Sequence, residues 1–183
     1  MSEPHPSRSG RIDTPAAPAA TSLAVGPHAT DALVLLRQDH DLLKRLFQSF
    51  EEMVLARSLD ARHLAEKDEL VSRLCGELHL HIQLEDELFY PAVRAAIQDD
   101  RLMDVVDVEN DGAMRLIVEL DMMGSDDPLY DARVTALGRS VCRHIDEEQD
   151  VVFPRVRYSK LDTIALGKDM ASLKKALRSD AGK

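Results

Sequence analysis

Apolar residues recur at alternating steps of three and four positions through most of the chain. This spacing places them on one face of an α-helix, whereas the two-residue alternation typical of a β-strand does not occur. The pattern predicts four long helices and one shorter amphipathic helix, at about 30–57, 60–98, 100–123, 126–154 and 160–178. The sequence therefore predicts an all-α protein built as an up-down four-helix bundle.

Local signals place the ends of these helices. Thr30 or Asp31 is expected to cap the first helix, because its side-chain oxygen accepts a free backbone N–H group, and Asp60 is expected to start the second helix. Pro91 is expected to kink the second helix or to break it into a final short turn. Pro128 suits the first turn of the fourth helix, where a missing N–H costs nothing.

The N-terminal part of the chain has a different composition. It carries five of the eight prolines, together with Ser, Ala and Gly, and this composition buries little apolar surface. We predict a disordered tail at 1–28, a four-helix bundle at 29–158 and an accessory C-terminal helix at 159–183.

Each long helix carries polar residues on the stripe that must point inward. They are His40 on the first helix, His81 and Glu85 on the second, Asn110 on the third, and His144 and Glu148 on the fourth. Polar residues on an inward face require partners inside the bundle.

These residues belong to an internal duplication. The segments 81–91 and 144–154 both read His-x-x-x-Glu followed by apolar residues and a proline, and 38–47 aligns with 108–117. One helical turn separates the histidine from the glutamate, so each copy presents an imidazole beside a carboxylate. The duplication is broken where His40 aligns with Asn110.

Two carboxylates facing each other in a bundle core need a compensating charge. A buried unpaired carboxylate is costly, and two of them repel each other. A bound cation supplies the charge, since imidazole and carboxylate are ligands for iron, zinc and manganese. A lone histidine on an apolar stripe is more often a hydrogen-bonded core residue than a ligand. The duplicated set of three histidines and two glutamates nevertheless favours a metal site.

Charge and hydropathy argue against two classes of binding partner. The net charge is −10, and the sequence has no long basic run, which argues against nucleic acid and anionic membranes. The sequence shows no apolar stretch long enough for a membrane span and no signal-peptide pattern. We expect a cytoplasmic protein.

The chain resembles the hemerythrin and HHE cation-binding family over about 31–154. The resemblance rests on Asp39-His40, on the two His-x-x-x-Glu segments and on their Phe-Tyr-Pro and Val-Phe-Pro endings. It implies a four-helix bundle around a non-haem di-iron centre that binds oxygen or a similar small ligand. It also implies ligand roles: Glu85 and Glu148 bridge two metals, His40 and His81 complete one of them, and His144 binds the other.

Asn110 stands where the family usually has a third-helix histidine. An amide oxygen is a weaker ligand than imidazole for a transition metal, so the second position is expected to be weaker, more open or empty. Asn110 and Glu109 remain further candidate ligands, although Glu109 lies about 100° away around the helix.

Two functions follow from this asymmetry. In the first, the protein binds or senses O2, NO or peroxide at an asymmetric di-iron or mononuclear iron site, with zinc or manganese as alternatives. In the second, a degenerate site holds one metal or none, and the bundle is a regulatory or stress-response interaction module. The residues leave open whether the protein is an enzyme.

Overall fold

The structure, a computed structural model, describes residues 1, 31–56 and 60–181. Apart from short turns, the segments 31–56 and 60–181 form helices. Their bounds are α1 Ala32–Ala56, α2 Ala61–Leu84, α3 Tyr90–Ile97, α4 Asp100–Asp121, α5 Tyr130–Glu147, α6 Phe153–Tyr158 and α7 Thr163–Ala181. Two π-helical turns, Glu85–Phe89 and Glu148–Val152, join α2 to α3 and α5 to α6. The all-α fold expected from the sequence is therefore observed.

Of the two candidate caps of the first helix, Asp31 caps α1, and Asp60, where the second helix was expected to start, caps α2. Asp31 Oδ1 accepts the backbone N–H of Leu33 at 2.8 Å, and Asp60 Oδ1 accepts that of His63 at 2.8 Å. The predicted tail at 1–28 lies outside the described residues, apart from Met1.

Two predicted boundaries differ from the structure. The irregularity in the second long helix precedes Pro91, which is the second residue of α3. A π-turn adds one residue to the helical ring and relieves the contact between a proline ring and the preceding carbonyls. Pro128 does not open the fourth long helix, which begins at Tyr130, because hydrogen bonds from Asp127 to Gly124 and from Tyr130 to Asp127 form turns there.

The bundle core consists of two apolar layers with a polar layer between them. Along α1, Leu36 belongs to one apolar layer and Leu43 to the other, and His40 lies between them. Along α4, Asn110 is likewise placed between Val106 and Ala113. All six inward polar residues named above are buried. The fold therefore encloses these polar groups away from bulk water.

Helix α7 packs against this bundle rather than extending it. It contacts α1, α2 and the first π-turn, and Leu166 and Met170 bury their side chains in the apolar layer nearer the N-terminus of α1. Thr163 Oγ1 donates to Asp31 Oδ2 at 2.5 Å, and Arg178 donates to Glu77 at 2.7 Å. These contacts hold α7 along the outer side of α1 and α2.

Candidate metal centre

The polar layer brings together side chains from all four long helices. His40 comes from α1, His81 from α2, and His144 from α5, while Glu85 and Glu148 are the first residues of the two π-turns. Asn110 comes from α4. The sequence-predicted candidates therefore meet at one level of the bundle.

The two π-turns begin on equivalent glutamates. Widened turns of this kind are rare and are frequently found at functional sites. Each is followed by a helix with a proline in its first turn, Pro91 in α3 and Pro154 in α6. The repeated proline was the sequence signal for this feature, although it indicated a kink at the proline itself. The turns set the direction in which Glu85 and Glu148 enter the core.

The nitrogen and oxygen atoms of these residues form two groups that share Glu85. One group contains His40, His81 and Glu85, and the other contains Glu85, His144 and Glu148. Within each group, the candidate ligand atoms lie within 4.8 Å of one another. Each group is therefore compact enough for a single ion to contact all three residues.

The inward atoms approach one another without forming hydrogen bonds. His40 Nε2 is 3.1 Å from Glu148 Oε2, and His81 Nε2 is 3.1 Å from Glu85 Oε1. Nevertheless, all four atoms are buried without a partner in hydrogen-bond geometry. Such atoms are costly in a protein interior, and native structures rarely leave them unsatisfied. Their shared direction fits a bound cation.

For His40 and His144, the opposite ring nitrogen faces another polar side chain. His144 Nδ1 is 2.9 Å from Glu109 Oε2, and His40 Nδ1 is 2.8 Å from the Gln149 amide. A carboxylate that accepts the Nδ1 proton of His144 leaves its Nε2 atom for a metal, whereas the Gln149 amide nitrogen donates to His40 Nδ1 and fixes the orientation of that ring. Glu109, a candidate ligand from the sequence, thus lies behind His144 and outside both groups.

Asn110 faces the site, as the alignment of the two halves predicts. Its Nδ2 donates to Glu85 Oε2 at 3.4 Å and to Asp86 Oδ1 at 3.1 Å. In this arrangement Asn110 orients a carboxylate shared by both groups, and its amide nitrogen has no lone pair for a metal.

Tyr90 also reaches the site, and sequence reasoning missed it. Its hydroxyl lies 3.2 Å from His144 Nε2 and donates to Glu148 Oε1 at 3.3 Å. It therefore adds an oxygen beside the group that has a single imidazole. The only sequence signal was the position of Tyr90 in the Phe-Tyr-Pro ending, where helical spacing alone does not distinguish a ligand from a core aromatic residue.

A small cavity borders the site on the Asn110 side. Its volume is about 10 Å³, which is room for about one water molecule. Its lining consists of Leu78, His81, Ile82, Glu109, Asn110, Ala113, Ser140, Val141 and His144.

Burial and charge separate the pKa values of the two glutamates. Burial raises the pKa of Glu148 well above its ordinary value, and the neighbouring Glu85 charge raises it further. Burial acts on Glu85 in the same direction, but the nearby His81 and His144 outweigh it and hold the pKa of Glu85 at about 2. Without a cation, the site therefore disfavours ionisation of both carboxyl groups together.

Burial and charge also divide the histidines. Burial, with a smaller contribution from His81, lowers the pKa of His40 to about 3, so this imidazole is neutral. For His81 and His144, burial favours the neutral form, but the surrounding carboxylates outweigh it and raise the pKa. A bound cation would replace the positively charged imidazoles as the partner of the carboxylates, and the imidazoles would then be neutral.

A helical bundle with histidines and glutamates converging in its core is typical of a cation-binding protein. The family model described as the hemerythrin HHE cation binding domain matches residues 31–156, and the chain belongs to this family. Domains of this family bind small ligands.

A solved structure supports the fold. The crystal structure of a hemerythrin HHE cation binding domain-containing protein from Mycobacterium kansasii aligns with a TM-score of 0.66 and 23% sequence identity. The alignment covers 82% of this chain and 89% of that chain, so the likeness of fold extends well beyond the site. No curated protein matches the sequence. No helix in the described part of the chain is long and apolar enough to cross a membrane.

The carboxylate pair predicts opposite effects of one substitution on stability and metal binding. Because the pKa of Glu148 is raised in the folded state, its stabilising contribution is present below the ordinary value of 4.5 and is lost as the pH rises. Glu148→Gln should therefore stabilise the metal-free protein at pH 8 by about 0.5 to 2 kcal/mol while weakening metal binding. Urea unfolding in chelator between pH 5 and pH 8 measures the difference.

The exposed neighbour provides a matched control. Glu147→Gln removes the same charge at the surface and should leave both stability and metal binding close to wild type. If Glu148→Gln were less stable than wild type at pH 8 in chelator, the buried carboxylate would be stabilising without a metal.

Proposed function

We propose that this protein is a non-haem iron protein that binds O2, NO or peroxide at an asymmetric two-metal site. The observation that carries the proposal is the convergence of four buried inward atoms, two imidazole nitrogens and two carboxylate oxygens, without hydrogen-bond partners. Nitrogen and oxygen donors of this kind suit iron, as well as zinc and manganese. The family supports a cation at this place.

The proposed ligands divide between two positions. His40, His81 and Glu85 would hold the first metal, and Glu85, Glu148 and His144 would hold the second, while the 3.1 Å distance from Glu148 Oε2 to His40 Nε2 supports a contact of Glu148 with both. This division follows the two compact groups of the structure. Tyr90 supplies a further oxygen to the second position, where Asn110 replaces an imidazole. The two positions therefore differ in both number and kind of ligands.

The surroundings of the two metal positions suit the binding of a small ligand. Bound iron would supply a redox-active Lewis acid. The apolar layers above and below exclude bulk water, and a cavity the size of about one water molecule lies beside Asn110. Tyr90 also lines a surface cleft of about 390 Å³, so this cleft lies beside the second position. A cytoplasmic location and the absence of a nucleic-acid partner stay predictions.

Metal content tests the proposal directly. Protein prepared without oxygen should contain iron, and His81→Ala should lose most of it because the substitution removes an inward ligand. His79→Ala is the matched control, since His79 is exposed on the same helix. Elemental analysis decides the question, and full iron occupancy in His81→Ala would show that the ligand assignment is wrong.

Asn110 predicts two separate binding steps. Wild-type protein should bind Fe2+ first at the His40 and His81 position and then more weakly at the second position. Asn110→His should tighten the weaker step at least about ten-fold, or about 1.4 kcal/mol, because it adds an imidazole on the inward face. Anaerobic titration against a competing chelator measures both steps.

The adjacent position controls for a histidine added anywhere on α4. Asp111→His places an imidazole about 100° away around the helix and should leave both steps unchanged. If wild-type protein already binds two irons equally, Asn110 does not weaken the second position. If it binds one iron or none, and Asn110→His does not change this, the protein has a degenerate site.

Tyr90 predicts a spectroscopic signature. If its oxygen binds the second metal, the ferric protein should show phenolate-to-iron charge-transfer absorption in the visible range, and Tyr90→Phe should remove it. Tyr130 is buried in the apolar core, and Tyr130→Phe should retain the band. Resonance Raman spectra with tyrosine ring modes in wild type and Tyr130→Phe alone would establish the ligand, while a band unchanged in Tyr90→Phe would contradict it.

A further inference from the structure

The internal duplication extends to the carboxylates behind the histidines. Asp39 aligns with Glu109, and His81 aligns with His144. In the structure, each carboxylate faces the Nδ1 atom of the histidine from its own half. Carboxylates in this position orient a metal-binding imidazole and increase its basicity. The two halves thus repeat both the inward residues and the groups behind them.

A basic side chain pairs with each of these carboxylates, but the two basic residues lie in different parts of the chain. Arg143 donates to Glu109 Oε1 at 2.6 Å from the position next to His144. The equivalent position in the first half is Leu80, which has no charge. There the cation is Lys174 of α7, whose ammonium contacts Asp39 Oδ1. The first half therefore obtains its cation from a helix outside the segment 31–156 that the family model matches.

Asp39 and His81 face each other in the structure but do not form a hydrogen bond. Asp39 Oδ2 and His81 Nδ1 lie 4.0 Å apart, and both atoms are buried without a hydrogen-bond partner. An imidazole that binds a metal through Nε2 carries its proton on Nδ1, directed at Asp39. A shift of about 1 Å brings the two atoms to hydrogen-bond distance and satisfies both.

Lys174 is held in place by the rest of α7. Met170 is fully buried one turn before it, and Arg178 pairs with Glu77 of α2 one turn after it. The side chains of Lys174 and Asp39 are both largely buried, at 17% and 11% exposure. A buried carboxylate is costly without a partner, and the Lys174 ammonium supplies that partner to Asp39.

We infer that α7 is a functional part of the metal centre, in which the Lys174 ammonium fixes Asp39 and Asp39 orients His81 toward the first metal. The inference rests on the proposed metal binding. Lys174 and Asp39 are positioning residues in this arrangement, since they act through His81. They do for the first metal what Arg143 and Glu109 do for the second.

The test uses Co2+ as a probe in the full chain. Lys174→Met removes the charge while keeping most of the side-chain length, and it should weaken the tighter Co2+ step by about ten-fold or more. Lys174→Arg restores the charge and should restore the affinity. Lys175→Met changes the exposed neighbour on the same helix and should bind Co2+ like wild type.

Proton NMR of the Co2+ protein supplies a readout that packing alone does not move. Metal-bound histidines give strongly shifted Nδ1–H signals that disappear in D2O. The signals lost in His81→Ala belong to the first metal position, and one of them should exchange with solvent faster in Lys174→Met and in Asp39→Asn. The signal of His144 should remain unchanged in both variants.

The outcomes separate this inference from the proposed function. Wild-type protein that binds no Co2+, Fe2+ or Zn2+ would overturn both. If wild type binds Co2+, the inference alone is overturned by equal affinity and equal exchange in Lys174→Met, or by a loss in Lys174→Met that Lys174→Arg fails to restore. Melting temperatures of the metal-free variants separate loss of folding from loss of binding.

Discussion

The structure depends on the enclosure of Glu85 and Glu148 in one layer of a helical bundle. Two carboxylates within 4.8 Å of the same imidazole nitrogen and of each other, and away from water, repel strongly unless a cation lies between them. In the metal-free chain, burial and then the charge of Glu85 raise the pKa of Glu148, while His81 and His144 outweigh burial at Glu85 and lower its pKa. Apolar layers on both sides prevent either side chain from reaching solvent. The fold therefore keeps the cation site preformed, and this lowers the stability of the metal-free state.

The sequence was sufficient to predict the helices and the inward residues. Helical periodicity decides which side chains share a face, and this alone assigns one inward-facing set, namely His40, His81, Glu85, Asn110, His144 and Glu148. Thr30 or Asp31 was predicted as the first cap and Asp60 as the start of the second helix on the same local grounds, and Asp31 and Asp60 cap these helices. These features depend on residues close together in the sequence.

The features that the sequence did not predict are the two π-turns and two contacts between distant residues. The π-turns at Glu85 and Glu148 shift the helical register by one residue, which no apolar repeat indicates. Tyr90 meets His144 across the bundle, and its sequence position alone is equally compatible with a core aromatic residue. The contact of Lys174 with Asp39 joins residues 135 positions apart, so only the docking of α7 reveals it.

The broken symmetry at position 110 has a counterpart elsewhere in the site. The duplication pairs Tyr90 with Phe153 as well as His40 with Asn110. Phe153 stacks on His40, at 5.8 Å between ring centroids, so the first position has an imidazole and an apolar ring.

At the second position, both the imidazole and the apolar ring of the first position are replaced by other side chains. Asn110 replaces the imidazole, and the Tyr90 hydroxyl reaches His144 and Glu148. The outer contacts are kept meanwhile, since Asp86 meets Asn110 as its counterpart Gln149 meets His40. Because the framework is repeated while the donor changes from nitrogen to oxygen, the asymmetry is better explained as a second position of different chemistry than as decay of the site.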